Sequence, residues 1–282
     1  MNKILIIGAN GQLGTALQNE FPKALTADVN TLDITNEKSV NAYPWKNVDI
    51  IINAAAFTNV DGAETPQGRI SAWQVNATAV ANLAKIATTH NIILVHISSD
   101  YVFDGSKKNY NEAASFSPLS VYGASKAAGD LSASVTPKHY IIRTSWVIGN
   151  GNNFVRTMHD LAQKNIKPSV VNDQIGRLTF TPDLAAVIKH LLETEQSYGT
   201  YNCTNSGPSK SWAEIAKKVY ELSGKNPNDI TPISTNEYYA GKTDIAPRPH
   251  YSTLDLDKII KTGFVAPDWQ DRLNKYIKEE LQ

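Results

Sequence analysis

Four consecutive apolar residues, Ile4 to Ile7, run straight into Gly8-Ala9-Asn10-Gly11-Gln12-Leu13-Gly14, and a helical spacing of apolar residues carries on to Glu20. A buried strand that turns into a helix over a G-x-x-G-x-x-G segment can press its backbone against a diphosphate. The free N–H groups and positive end of the helix then face the charge. The pattern predicts a bound dinucleotide touched by Gly8, Asn10, Gly11, Gln12, Leu13 and Gly14. Asp28 stands 20 residues beyond Gly8, where such folds place an acidic side chain for the ribose hydroxyls. A carboxylate there repels a 2′-phosphate and favours NADH, while Asp33 in Leu32-Asp33-Ile34 is the competing contact on the adenine side. Either NADPH or NADH is therefore the expected cofactor.

The first half of the chain repeats this alternation. Asp49 to Ala56, Ile92 to Ile97 and Tyr140 to Val147 read as buried strands, with helical patterns at Ile70 to Thr88 and from Ser120 to about Ser134. This is the pattern of an α/β fold, a Rossmann-type doubly wound parallel sheet with helices on both faces. Past Gly149 the rhythm changes: Phe154, Val155, Met158, Leu161 and Ala162 form one helix face, and Ser211 with Glu214 makes a capping box for a helix that Gly224 ends. We expect 1–149 plus about 170–199 to form the dinucleotide-binding domain, and about 150–169 plus 200–282 a smaller α/β substrate lobe.

Lys plus Arg and Asp plus Glu balance at 27 each. No long-range field draws such a chain to nucleic acid or an anionic membrane, so an anionic ligand must be held by local groups. The segment before Gly8 is too short for the apolar core of a signal peptide, and no apolar run reaches membrane-spanning length; a cytoplasmic protein is expected. One cysteine, Cys203, excludes an internal disulfide and a cysteine-based metal site, and the six histidines show no ligand spacing, so no metal is expected. Cys203 reads as a small core residue.

Tyr122-Gly123-Ala124-Ser125-Lys126 sets a phenol and an ammonium four residues apart on one helix face. A cation so placed lowers the pKa of the phenol and makes it an acid and base usable near neutral pH. The pair gains weight from the strand before it. Ile92 to Ile97 ends in Ser98-Ser99-Asp100-Tyr101, which brings a hydroxyl out at the carboxyl end of a parallel strand, where α/β sheets hold their ligands.

Together the glycine turn, Asn53-Ala54-Ala55-Ala56, Ser99, Tyr122 and Lys126 resemble the extended short-chain dehydrogenases, a family built from a Rossmann domain and a C-terminal sugar-nucleotide lobe. More narrowly, Ala54-Ala55-Ala56-Phe57-Thr58-Asn59-Val60-Asp61, Ser98-Ser99-Asp100-Tyr101-Val102-Phe103-Asp104-Gly105, Arg143-Thr144-Ser145-Trp146, Asp173-Gln174-Ile175-Gly176 and Arg248-Pro249 resemble the dTDP-4-dehydrorhamnose reductases. The resemblance implies a nucleotide-sugar substrate whose C4 ketone takes a proton from Tyr122 as hydride arrives from the nicotinamide, with Ser99 holding the ketone oxygen and Lys126 binding the nicotinamide ribose. It completes the cofactor contacts with Asp28, Asp33, Ile34, Ala54, Ala55, Ala56, Tyr122 and Lys126. Val60, Ser99, Asp100, Tyr101, Tyr122 and Trp146 match positions lining the sugar pocket, although Val60 and Trp146 also read as packing residues. Arg248 is the candidate for the substrate diphosphate, since a guanidinium matches phosphate oxygens two at a time, and its alternative is a surface ion pair.

The chain departs from the family pattern at Gly176-Arg177-Leu178-Thr179, at Ala124 and Gly62, and at Thr15 and Ala16, where metal-linked dimers carry a Glu. A homodimer remains compatible with the sequence. A sugar-nucleotide dehydratase needs a second acid after Asp100, where Tyr101 stands; a 4-epimerase needs only the Ser, Tyr and Lys set. A non-catalytic subunit, like the regulatory subunit of methionine adenosyltransferase, shares the fold, but retention of Ser99, Tyr122 and Lys126 favours an enzyme.

Overall fold

The central strands form where Ile, Leu and Val cluster, and the computed structural model, which describes residues 3–281, buries most of their residues on both faces. β1 (Ile4–Ile7), β2 (Leu25–Ala27), β3 (Ile50–Asn53), β4 (Ile93–Ser99) and β5 (His139–Thr144) join a sixth strand, Gly199–Asn202, in one sheet whose neighbours are all parallel. Between β5 and that strand come β6 (Val147–Ile148), β7 (Ser169–Val171), β8 (Ile175–Gly176) and β9 (Thr179–Phe180); the sixth strand is thus β10, and β11 (Lys210–Ser211) and β12 (Thr231–Ile233) follow it. The order β10-β5-β4-β3-β1-β2 reverses direction at β1, so a crevice opens between the carboxyl ends of β1 and β3.

Alternate residues of each strand feed different cores. Leu5, Ile7, Ile51, Leu94 and Ile141 pack under α2 (Glu37–Ala42) and α4 (Ala79–His90), while Ile6, Ile52, Val95 and Ile142 pack under α1 (Gln12–Glu20) and α7 (Thr181–Glu193). The sheet is therefore doubly wound, as expected. Cys203 is buried in the second of these cores. The expected helix from Ile70 to Thr88 is α3 (Pro66–Trp73) and α4, joined by a wide π-type turn at Gln74–Thr78. That turn buries Asn76, whose amide bonds both Phe57 N–H and Phe57 carbonyl and so clamps the loop after β3. The remaining helices are α5 (Val121–Ser134), α6 (Phe154–Gln163), α8 (Trp212–Leu222), α9 (Thr235–Tyr239), α10 (Asp257–Lys261) and α11 (Trp269–Tyr276).

A third core gathers Val155 and Met158 of α6, Ile215 and Val219 of α8, and Trp269 and Leu273 of α11. The capping box of Ser211 and Glu214 starts α8 as the sequence indicated. β10 and α10 fall within the stretch expected to build the smaller lobe but pack with the large sheet, and β7 pairs with β12 beside the third core. Met1 and Asn2, part of the segment judged too short for a leader, and Gln282 lie outside the described residues. No helix among the described residues is long and apolar enough to cross a membrane.

Candidate active site

The glycine turn is shaped by close backbone approach. Gly8 has φ +77°, and a Cβ on it would lie 2.6 Å from the backbone nitrogen of Ala55; one on Gly14 would lie 2.2 Å from the Gly8 carbonyl oxygen. No side chain larger than hydrogen fits either position, so the turn, the start of α1 and the loop after β3 lie pressed together at the sheet's crevice. Gly11 caps α1 with no side-chain acceptor, and the first turn of the helix has no acidic residue. Its leading N–H groups are thus presented to an anion. These residues fit a dinucleotide diphosphate.

The other expected cofactor residues surround that turn to different degrees. Asp28 follows β2, and its carboxylate accepts from the Asn10 amide at 2.9 Å and from the backbone of Asn30 and Thr31. Burial raises its pKa, but these bonds outweigh it and hold the carboxyl below the usual range. Asp33 caps its own turn by accepting from Thr35. The Ile34 side chain is a core residue under α2 and α4, which leaves its backbone for any contact. Ala54, Ala55 and Ala56 lie half-buried on the loop after β3.

Ser99 ends β4, and Tyr122 and Lys126 rise from the first turns of α5, which Ser120 caps. The Tyr122 phenol is pushed up to about 12, chiefly by burial, with the neighbouring Ser99 hydroxyl opposing. This corrects the expected lowering by Lys126, whose ammonium instead donates to the Ile97 carbonyl at 2.6 Å. The phenol accordingly carries its proton at neutral pH, the state a proton donor requires. Lys126 is 2% exposed, and burial lowers it to about 8 against the pull of Asp130. Asp130, one further turn along α5, pairs with Arg143 at 2.9 Å, and Arg143 packs over Phe103 and Phe116. His96 lies beside this pair and is held neutral by burial and by the Lys126 charge.

Around the phenol, Tyr101 meets Tyr122 edge to face with ring centroids 5.4 Å apart. Asp100 is 3% exposed, and burial raises it to about 6 against the neighbouring Ser252 and Ser99 hydroxyls.

The whole chain, residues 1–282, matches the model of the RmlD substrate binding domain family. This chain belongs to that family. As a member of the RmlD substrate binding domain family it is 39% identical to the dTDP-4-dehydrorhamnose reductase of Aggregatibacter actinomycetemcomitans over 97% of each chain. It is 36% identical to the dTDP-4-keto-6-deoxy-D-glucose reductase of Streptomyces niveus over 92% of this chain and 90% of that one. A solved dTDP-4-dehydrorhamnose reductase from Bacillus anthracis, in complex with NADP, superposes with a TM-score of 0.90 at 38% identity, covering 99% of each chain.

The substrate-side candidates of this family member divide. Trp146 sits at φ +48°, stacked on Trp212 at 3.6 Å, and the space beside its ring exists because residue 176 is glycine. Val60 is half-buried on the loop after β3. Arg248 holds Asp61 with two bonds, at 2.5 and 2.8 Å, and lies 5.1 Å over the Tyr239 ring, with its own side chain largely buried. Its bond is the main reason the Asp61 carboxyl sits below its usual range. Sequence reasoning missed Asp61 as Arg248's partner, Asp130 and Arg143 as the support of Lys126, and Asn76 as the loop clamp. The only signal was that Asp61 and Arg143 stand inside segments that carried the family resemblance.

Proposed function

We propose that this chain reduces the C4 ketone of dTDP-4-dehydro-L-rhamnose to dTDP-L-rhamnose, with bound NAD(P)H supplying the hydride. The observation that carries the reading is the convergence of the Ser99 hydroxyl, the protonated Tyr122 phenol and the buried Lys126 ammonium beside the crevice of the sheet. Tyr122 donates its proton to the ketone oxygen, and Ser99 holds that oxygen while charge develops on it. The glycine turn, the start of α1 and Lys126 would hold the cofactor. Trp146 and Tyr101 wall the sugar site, and Arg248, its plane fixed by Asp61, meets the substrate diphosphate.

The named relatives support this substrate class. The Streptomyces niveus relative favours a second reading, reduction of a different 4-keto sugar nucleotide. Dehydration lacks support because Tyr101 occupies the place of the second acid. On cofactor choice, Asp28 supports NADH and the NADP bound to the Bacillus anthracis relative supports NADPH. A cytoplasmic location and a homodimer complete the proposal, the latter to be read by sedimentation.

The test offers dTDP-4-dehydro-L-rhamnose and dTDP-4-keto-6-deoxy-D-glucose separately with each cofactor and identifies the product by NMR. Preferential consumption of the first substrate and a rhamnose product are expected. Preference for the second substrate replaces the first reading with the alternative, and no consumption with either overturns both.

A further inference from the structure

We propose that Lys242, held on the rings of Tyr238 and Tyr239, is the second cation that binds the diphosphate of the sugar nucleotide. The inference rests on the dTDP-sugar reading above and names a residue on which the affinity for that substrate depends.

A sugar nucleotide carries a negative charge on each of its phosphoryl groups, and a chain without net charge must meet both with local cations. Arg248 supplies only part of this. Its Nη1 donates both hydrogens, to Asp61 Oδ1 at 2.5 Å and to the Ala246 carbonyl at 2.6 Å, and its Nη2 donates one to Asp61 Oδ2 at 2.8 Å. Of the five donors of a guanidinium, this leaves Nε and the second hydrogen of Nη2, while the Asp61 carboxylate balances the charge. The segment after Arg248 is pressed against the loop after β4: a Cβ on Gly105 would lie 2.5 Å from the His250 nitrogen, and the Tyr251 N–H donates to the Gly105 carbonyl at 3.2 Å. Arg248 therefore stands between the loop after β3 that carries Asp61 and the loop after β4 that follows Tyr101.

Lys242 stands beside it. Its ammonium lies 4.1 Å from the centre of the Tyr238 ring and 5.4 Å from that of Tyr239, the ring that also carries Arg248 at 5.1 Å. The chain doubles back to place it there. The Lys242 N–H donates to the Tyr239 carbonyl at 3.0 Å across a type II turn, with Ala240 at φ −53° and ψ 126° and Gly241 at φ +74°, the position of that turn that favours glycine. The turn is anchored through α9, which starts on the Ser234 and Glu237 capping box and whose Thr235 N–H donates to the Asp173 carboxylate at 2.9 Å. Among the described residues no carboxylate pairs with Lys242 and no acceptor takes a hydrogen bond from its ammonium. Aromatic faces hold a cation without using its N–H donors, so the exposed Lys242 presents all of them to phosphate oxygens.

Titration of dTDP into the NADP⁺-saturated native enzyme, Lys242→Met and Lys242→Arg tests the assignment, with NADP⁺ affinity measured separately on each protein. Lys242→Met keeps the stem and removes the charge, so dTDP affinity should fall at least about tenfold, the order of one charged hydrogen bond. Lys242→Arg keeps the cation and should stay within about threefold of native. NADP⁺ affinity should stay close to native in both variants. Native dTDP affinity in Lys242→Met overturns the proposal. So does an equal loss in the two variants, which would place the effect in the turn rather than in the charge, and so does a loss that falls on NADP⁺ instead. A native enzyme that fails to bind dTDP at all would sink the dTDP-sugar reading and this inference with it, so the two failures are distinguishable.

Discussion

Replacing Lys126 with Met should make the protein more stable while disabling it. Burial drops the Lys126 ammonium from the ordinary 10.5 to about 8, and at 1.36 kcal/mol per pKa unit the fold bears about 3 kcal/mol to keep that charge inside. Met keeps the volume of the lysine stem and removes the charge. It also gives up the bond to the Ile97 carbonyl, worth about 1–2 kcal/mol. The net gain near pH 7 is about 1–2 kcal/mol, a rise in unfolding temperature of roughly 2–5 °C. Because the folded pKa lies below the unfolded one, the penalty is fully present below pH 8 and fades as pH rises toward 10.5. The variant's advantage should shrink over that same window. Thermal unfolding of cofactor-free native and variant protein across pH 7–10 measures it, with NADPH consumption followed in parallel. A variant less stable than the native protein at pH 7, or one that keeps native turnover, would refute the reasoning.

Three further outcomes are expected. Gly14→Ala places a Cβ 2.2 Å from the Gly8 oxygen and 2.6 Å from that of Ala9, both backbone atoms; it should cost about 1–3 kcal/mol of stability and weaken NADPH binding, read by unfolding and by fluorescence titration. Asp130→Ala leaves the buried Arg143 charge without its partner and should cost about 3–5 kcal/mol in chemical denaturation. Asp28→Asn removes a negative charge from the end of β2 and should shift the ratio of NADPH to NADH turnover toward NADPH, measured as kcat/KM for each.

The strongest local signals in the sequence survive in the fold for a local reason. β1, the glycine turn and α1 form one continuous unit, and its boundaries follow from apolar spacing and from the glycines that the close approaches demand. Tyr122 and Lys126 share a helix face, and Ser99 ends its strand, because a four-residue spacing and a strand terminus are both readable along the chain. The edge strands β2 and β10 were not legible. β2 exposes two of its three residues and β10 starts on Gly199, so neither shows an apolar run. The strand read as Tyr140 to Val147 stops at Thr144, shortly before Trp146 takes a positive φ that apolarity does not encode. The ion pairs were hidden for another reason: Arg248 and Asp61 stand 187 residues apart and meet only through tertiary packing. The expected fall in the Tyr122 pKa failed because helix spacing puts Lys126 near the phenol but says nothing of the Ile97 carbonyl that accepts the ammonium's hydrogen bond, or of the burial that outweighs it.

The most direct test of the central claim compares native enzyme and Tyr122→Phe in the reduction of dTDP-4-dehydro-L-rhamnose, with NADPH affinity measured on the same samples. The account predicts that turnover falls by about 10²- to 10⁴-fold while cofactor affinity stays close to native. Native turnover in the variant would contradict the assignment of Tyr122 as proton donor and, with it, the mechanism built on the end of β4 and the start of α5.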